Sequence, residues 1–394
     1  MNRAIATTVA LAVSLAAFTG CCGESVDKLA DRVFDTAISQ YKEMDASLSE
    51  GMLPRTFENG KLVESGSGWW CSGFYPGTLW YIYHYTQDPA FAAMAESNTA
   101  KVLPEAYKSV THDIGFMINC SFGNGLRLGG HDEYAPVLEA AAGNLAKRYL
   151  PTTHTTRSWN GGGPDGTWLF PVIVDNMMNL ELLMEVWKRT GTDSLKTIAL
   201  DHANTTMANQ YRDDFTAWHV VDYDPSDGHV RSKVTHQGFS DDSAWARGQA
   251  WGLYGYTMMY KETGDKTYLD QALKIGNMLI SRLPEDGIPY WDFNDPAIPS
   301  TLKDASAGAI MASAFADLGR LAPGADGKRC LKMAKKQVRT LGSPRYLAEK
   351  GENGHFILKH SVGSLPGKSE IDVPLTYADY YFIEALLRLT GRLD

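Results

Sequence analysis

The chain has little of what binds a metal, a nucleotide or a nucleic acid. Only five of its 394 residues are cysteine, and their spacing fits neither a zinc site nor a disulfide framework. Cys22, Cys71, Cys120 and Cys330 are therefore expected as free thiols, since a core of this size needs no bridges. No histidine pair or acid cluster has metal-ligand spacing, so neither a metal nor a cofactor is expected. A nucleophilic serine elbow and a Gly-rich phosphate loop are also missing. Basic charge is scarce: 37 Lys and Arg against 46 Asp and Glu leave a net −9. That gives no electrostatic footprint for nucleic acid and no polybasic membrane surface. After the first 25 residues no apolar run is long enough to span a bilayer.

The first segment present reads as an export signal. Arg3 supplies a short positive region, and "AIATTVALAVSLAAF" is an apolar core too short for a transmembrane helix. It ends in "FTGC", a small residue pair before Cys, as a bacterial lipoprotein signal does. Cys21 is the expected lipidated residue, with plain secretion after nearby cleavage as the alternative. The expectation is an exported, periplasmic or outer-membrane-anchored protein whose one membrane contact is its lipid. Residues 1–25 are signal and tether; residues 26–394, with no linker, read as one domain.

Next comes a repeat. "LLMEVWKRTGTDSLKTIALDHANT", "YGYTMMYKETGDKTYLDQALKIGNML" and "IMASAFADLGRLAPGADGKRCLKMAKKQV" share one shape. Each is an apolar helix, a short turn with Gly or Asp, then an amphipathic helix. "YIYHYTQDPAFAAMAESNTAKVL" has the same shape, and "YYFIEALLRLTGRLD" ends the chain with half a unit. Gly191, Gly264 and Gly324 fall where helix C-caps need positive φ. The helical period predicts about twelve helices, near 26–47, 74–86, 89–107, 113–127, 132–149, 171–190, 193–212, 242–262, 266–283, 303–321, 325–341 and 375–391. Six hairpins can close into an all-α (α/α)6 toroid, with one pocket at the mouth of its inner helices; an open solenoid is the alternative. Strand signals are few. "GIPYWDF" reads as a loop with room for a short strand.

Polar and aromatic residues gather on the connections and first inner turns. "GWWCSGFYPG" holds Trp69 and Trp70, "THDIGFM" pairs His112 with Asp113, and "RSWNGGGPDGTW" brings Trp159. "AWHVVDYDP" adds His219, and "THQGFSDDSAWARGQAWGLYG" carries Gln237, Trp245, Arg247 and Trp251. In "PVIVDNMMNLELL" one acid, Asp175, stands among apolar residues, where a charge is costly unless paired or protonated. The same residues have structural readings: Asp113 as a helix cap, Arg247 paired with Asp241 or Asp242, and Ser361, Ser364 and Lys368 as a solvated loop. Together, tryptophan, amide, histidine and arginine around two carboxylates describe a carbohydrate site. Aromatic faces stack on sugar rings, and two carboxylates are the minimum set for ordinary glycoside hydrolysis.

On "HDIGF", "RSW", "FPVIVDNMMNLELL", "HQGFSDDSAWARGQAW", "GIPYWDF" and "YADYYFIEALLRL", the chain resembles the unsaturated glucuronyl hydrolases, family 88 of the glycoside hydrolases. The resemblance covers nearly all of residues 30–392. It implies a metal-free (α/α)6 barrel that removes the 4,5-unsaturated uronic acid from the non-reducing end of lyase-generated oligosaccharides. By motif it implies Asp113 and Asp175 as the catalytic pair, with Asp175 as general acid and base. It implies substrate contacts at Trp70 (or Trp69), His112, Trp159, His219, Gln237, Trp245, Arg247 and Trp251. The 360–370 loop, with Ser361, Ser364 and Lys368, matches the region that meets the sugar beyond the scissile bond. The implied chemistry is hydration of a vinyl ether, which needs an acid whose pKa sits near working pH. An apolar shell around Asp175 supplies that shift, and Asp113 nearby adds to it. Arg247, with His219 and Gln237, is the expected carboxylate binder, and chondroitin, hyaluronan or heparin fragments are the expected partners.

Three other readings compete. An unsaturated rhamnogalacturonyl hydrolase usually reads Arg-Gly-Asn-Gly-Trp where this chain has "RGQAW". An inverting glycosidase wants a glutamic acid donor, and no comparable Glu motif is present. A glycan-binding lipoprotein without catalysis needs neither Asp113 nor Asp175.

Overall fold

In a computed structural model that describes residues 23–393, apolar and small residues concentrate on every second helix. The expected signal core, Cys21 and Cys22 lie outside the described residues. The helices are α1 (Val26–Ser47), α2 (Phe74–Thr86), α3 (Pro89–Val102), α4 (Ala135–Ala146), α5 (Asn176–Thr190) and α6 (Asp193–Asn209). They continue as α7 (Ala246–Thr263), α8 (Lys266–Arg282), α9 (Ala305–Leu321), α10 (Gly324–Leu341) and α11 (Thr376–Leu389). A π-helical segment, Gly115–Gly123 continued by Gly125–Gly129, takes the remaining helical place.

Residues 305–319 of α9 and 376–388 of α11 are buried on every side, as helices inside a barrel must be. Their neighbours α8 and α10 bury one stripe only. The buried helices pack in the cyclic order α2, π segment, α5, α7, α9, α11 and back to α2. Outside them α3, α4, α6, α8 and α10 each pack on the inner helix before them, and α1 packs on α11. That closed ring of six hairpins is the (α/α)6 toroid, not the open solenoid. The seam between the two ends of the chain is held by Tyr41, whose hydroxyl donates to Asp379 Oδ2 at 3.1 Å.

Local chemistry sets the helix ends. Asp88, Asp265 and Asp304 accept from the backbone N–H two residues on, the N-cap bond that satisfies an orphan donor. Gly191 and Gly264 close α5 and α7 at φ 72° and 71°, as expected. Gly324 also has positive φ, at 67°, but it opens α10 instead of closing α9. Alanine with its extended backbone, Ala322, ends α9.

The sheets are the main departure from expectation. The predicted helix over 171–190 begins only at Asn176, because the apolar run before it is a strand. Counting β1 (Leu53–Glu58), β2 (Lys61–Ser65), β3 (Tyr149–Leu150) and β4 (Thr155–Thr156), that strand is β5 (Phe170–Ile173). It pairs antiparallel with β6 (Val220–Tyr223), which pairs with β7 (Val230–Val234). A last hairpin joins β8 (Ser361–Ser364) to β9 (Ser369–Val373). "GIPYWDF" is a loop with two isolated bridges, Trp245 to Asp292 and Tyr290 to Lys303. Cys71, Cys120 and Cys330 are buried free thiols. No helix among the described residues is long and apolar enough to cross a membrane.

Close approach of the π segment to α5 depends on a missing side chain. A Cβ on Gly115 would lie 2.6 Å from Asn179 Cα and clash with the Asn179 amide. Gly115→Ala is therefore expected to destabilise the protein by about 1–3 kcal/mol through overpacking. Urea denaturation should show a lower midpoint with an unchanged slope; an unchanged midpoint would contradict this packing.

Candidate active site

Backbone lacing brings the two aspartates to one mouth. The β5–β6 ladder pairs Ile173 with Val220 and continues as Val174 N–H donating to His219 O at 3.1 Å. Asp175 and His219 therefore emerge side by side. On the other edge Ser158 N–H donates to Pro171 O at 2.9 Å, and Ser158 Oγ accepts from Ile173 N–H at 2.9 Å. Ser158 O in turn accepts from His112 N–H at 3.2 Å. The "RSW" segment is thus the strap that ties "THD" to β5.

Each aspartate faces a histidine N–H. Asn179 Oδ1 accepts from Phe116 N–H at 2.9 Å, which turns the Asn179 amide nitrogen toward His112 Nδ1 at 3.2 Å. His112 Nδ1 then accepts, so its proton is on Nε2, 3.3 Å from Asp113 Oδ1. His219 Nδ1 accepts from the backbone N–H groups of His236 and Gln237 at 3.1 and 3.2 Å. Its proton is likewise on Nε2, 3.8 Å from Asp175 Oδ2. Burial pushes both imidazole pKa values down, so both rings are neutral donors.

Asp175 stands at the N-cap position of α5 but makes no capping bond, and its Oδ2 is buried without a partner. Burial raises its pKa to about 7. Asp113 also raises it, while the Arg247 charge and the Trp251 indole N–H lower it. Desolvation is the leading cause, with Asp113 as a smaller contribution. Asp113 does not cap its helix either; its Oδ2 accepts from Thr111 Oγ1 at 2.5 Å.

Arg247, only 1 % exposed, pairs with neither Asp241 nor Asp242. Its Nη1 meets Asp304 Oδ2 at 3.2 Å and Val362 O at 2.5 Å, and its Nη2 meets Gly363 O at 2.6 Å. Those bonds bind the first turn of α7 to the cap of α9 and to β8. Nε alone of its nitrogens is buried without a partner. Gln237 Nε2 donates to the same Gly363 carbonyl at 3.2 Å.

The tryptophans divide into floor and rim. Trp251 is fully buried among Phe116 and Tyr381, so no ring face is open for sugar stacking. Trp245 is buried under His219, ring centroids 4.4 Å apart. Trp70, half-buried, lies against Phe116 and Tyr377, and Trp69 is covered by the Arg55 guanidinium at 3.9 Å. Trp159 is half-buried and stacks with Trp168 at 6.0 Å; it bridges to Thr111. On the last hairpin, Ser361 is buried with an unpartnered hydroxyl, Ser364 accepts from Gly367 N–H, and Lys368 is exposed at the turn. Asn179, Asp304, Tyr377 and Ser158 were not singled out in the sequence. Asp304 precedes a helix and Tyr377 sits in "YADYYF", the only local signals they carry.

Buried atoms that complete no well-formed hydrogen bond gather here: His112 Nε2, His219 Nε2, Asp175 Oδ2, Arg247 Nε and Trp251 Nε1. Buried polar atoms are normally paired. This set surrounds two carboxylates and presents donors to an anionic, hydroxyl-rich ligand. The described residues hold no group of side chains arranged for a metal ion.

No protein-family model matches the chain. An unsaturated glucuronyl hydrolase of Formosa agariphila is 45% identical over 81% of this chain and 79% of its own. An unsaturated chondroitin disaccharide hydrolase of Streptococcus pneumoniae is 31% identical over 93% of this chain and 91% of its own. Among solved structures, an unsaturated glucuronyl hydrolase specific for heparin superposes with a TM-score of 0.89 at 43% identity, covering 93% of this chain and 98% of that one.

The raised Asp175 pKa has a sign in stability. Between the unfolded value near 4 and about 7 the folded state keeps a proton that the unfolded state releases. Stability is therefore lost as pH rises through that window and stays low above it. Asp175→Asn removes the loss. The variant should exceed wild type in unfolding free energy at pH 8 by up to a few kcal/mol, at about 1.4 kcal/mol per pKa unit, and match it at pH 4. Equal differences at both pH values would contradict the shift.

Proposed function

This chain belongs to the unsaturated glucuronyl hydrolases, and from that premise we propose how it acts and on what. It is a glycosidase that removes a 4,5-unsaturated uronic acid from the non-reducing end of glycosaminoglycan oligosaccharides. The relatives support that activity and not the rhamnogalacturonyl alternative. One observation carries the mechanism: a carboxyl whose pKa is about 7, beside a second carboxylate and two neutral histidine donors.

Asp175, protonated, delivers its proton to C4 of the vinyl ether. Positive charge develops at C5 and is shared with the ring oxygen. The Asp175 carboxylate then takes a proton from water as that water adds at C5. The hemiketal opens and expels the next sugar from C1. Asp113, oriented by Thr111 and His112, stabilises the developing charge and holds the water or the ring. Arg247 acts through Nε and its field, because its other nitrogens already hold Asp304 and β8. With His219 and Gln237 it attracts the substrate carboxylate. Trp70 and Trp159 supply the rim, while Trp245 and Trp251 support the floor.

Heparin fragments are the favoured substrates, with chondroitin and hyaluronan fragments as the comparison. The heparin-specific structure is 43% identical to this chain and the chondroitin-acting relative 31%. Arg3, the apolar core and "FTGC" support a lipid on Cys21 and an exported, membrane-anchored location.

The test follows the ultraviolet absorbance of lyase-generated disaccharides. Wild type should bleach the conjugated alkene. Asp175→Asn should lose at least about 100-fold in kcat, and Asp113→Asn should also fall. In wild type kcat should decline as pH rises through about 7, since the acid must start protonated. Persistent absorbance on heparin, chondroitin and hyaluronan disaccharides alike would overturn the proposal.

A further inference from the structure

A second cleft lies on the other flank of the β8–β9 hairpin. Its volume is about 250 Å³, and its walls include Tyr290, Lys303, Arg345, Tyr346, His360 and Asp372. None of these touches Asp113 or Asp175 through any hydrogen bond, ion pair or ring contact described above. The cleft is smaller than the roughly 300–1,000 Å³ of drug-sized ligand pockets, a size that suits one sugar ring.

Its walls carry two cations, one carboxylate and two tyrosines. Lys303 Nζ lies 5.2 Å from the Tyr290 ring centroid and pairs with Asp286 at 2.5 Å. His360 Nδ1 and Asp372 Oδ1 meet at 2.7 Å. Asp286 thus neutralises Lys303, and the His360 ring lies in hydrogen-bond contact with Asp372. Arg345 differs: it is exposed, its guanidinium lies 5.4 Å from the Tyr346 ring centroid, and no carboxylate among the described residues pairs with it. A second observation points to a ligand. Tyr346 is 1 % exposed, and its hydroxyl is buried with no hydrogen-bond partner. A buried phenol usually finds a partner. Tyr290, half-buried, offers a ring edge or face at the wall, of the kind that packs on a pyranose.

We infer that this cleft is an auxiliary site for an anionic saccharide unit, a sulfated or uronate ring, separate from the reacting carboxylates. Arg345 binds the anionic group, Tyr290 packs on the ring, and the Tyr346 hydroxyl bonds a sugar oxygen. The saccharide class rests on the proposed function; the anion site itself rests on Arg345 and Tyr346. The cleft flanks β8, whose carbonyls hold Arg247, so the two sites share one strand without sharing side chains.

The probe is glucosamine 6-sulfate, with unsulfated glucosamine as control, titrated calorimetrically into the full protein. Wild type should bind the sulfated sugar, and Arg345→Gln should weaken that binding at least about tenfold. Tyr290→Ala should weaken it too. Both variants should retain wild-type kcat on an unsaturated disaccharide, and the sulfated sugar should not inhibit that turnover competitively. Lack of binding to wild type overturns the inference. So does competitive inhibition that persists in Arg345→Gln, because the sugar then occupies the reacting site. So does loss of disaccharide kcat in both variants, which would make the cleft a prop for the hairpin. If wild type turns over no unsaturated uronide, the proposed function fails, and the titration still reports on the cleft by itself.

Discussion

Burying one carboxyl is the constraint on which the site depends. An ionised carboxylate just past β5 would face apolar barrel and the neutral His219 imidazole, and water solvates it far better than they do. The fold answers by letting Asp175 keep its proton near neutral pH. It then keeps the shift moderate with the Arg247 charge and the Trp251 indole. A carboxyl left with desolvation alone would be a poorer base in the second half of the reaction. A carboxylate paired directly with Arg247 would be a poorer acid in the first half.

That balance explains why Arg247 is tied elsewhere. Its ion pair with Asp304 is buried, 3.2 Å long, and continued by two carbonyls of β8. A buried ion pair is weak evidence for stability, but removing one partner leaves a costly charge. Here it also fixes a cation at a set distance from Asp175 and joins three elements at the mouth. The histidines are treated in the same way. Backbone N–H groups and the Asn179 amide occupy their Nδ1 atoms, so each Nε2–H can only point inward.

Much of the barrel was legible. The alternation of all-apolar and one-sided helices is a local pattern, and Gly191 and Gly264 ended their helices where expected. The site's membership was legible by motif, because "THD", "VDN" and "ARGQAW" sit at the starts of inner helices. What was hidden is non-local. "PVIV" is a short apolar run that reads equally as strand or helix, and only pairing with β6 decides it. That pairing is also what sets His219 beside Asp175. Asp304 lies far from Arg247 in sequence, whereas Asp241 and Asp242 were the near neighbours. Trp251 read as a sugar platform by type, but its position one turn deeper in α7 puts it in the core.

The central claim is a protonated Asp175 at near-neutral pH, and its most direct measurement is infrared difference spectroscopy across a pH titration. Wild type minus Asp175→Asn should show a protonated-carboxyl C=O band that disappears with a midpoint of about 7. A midpoint near 4, the range of an ordinary solvated carboxyl, would contradict the account.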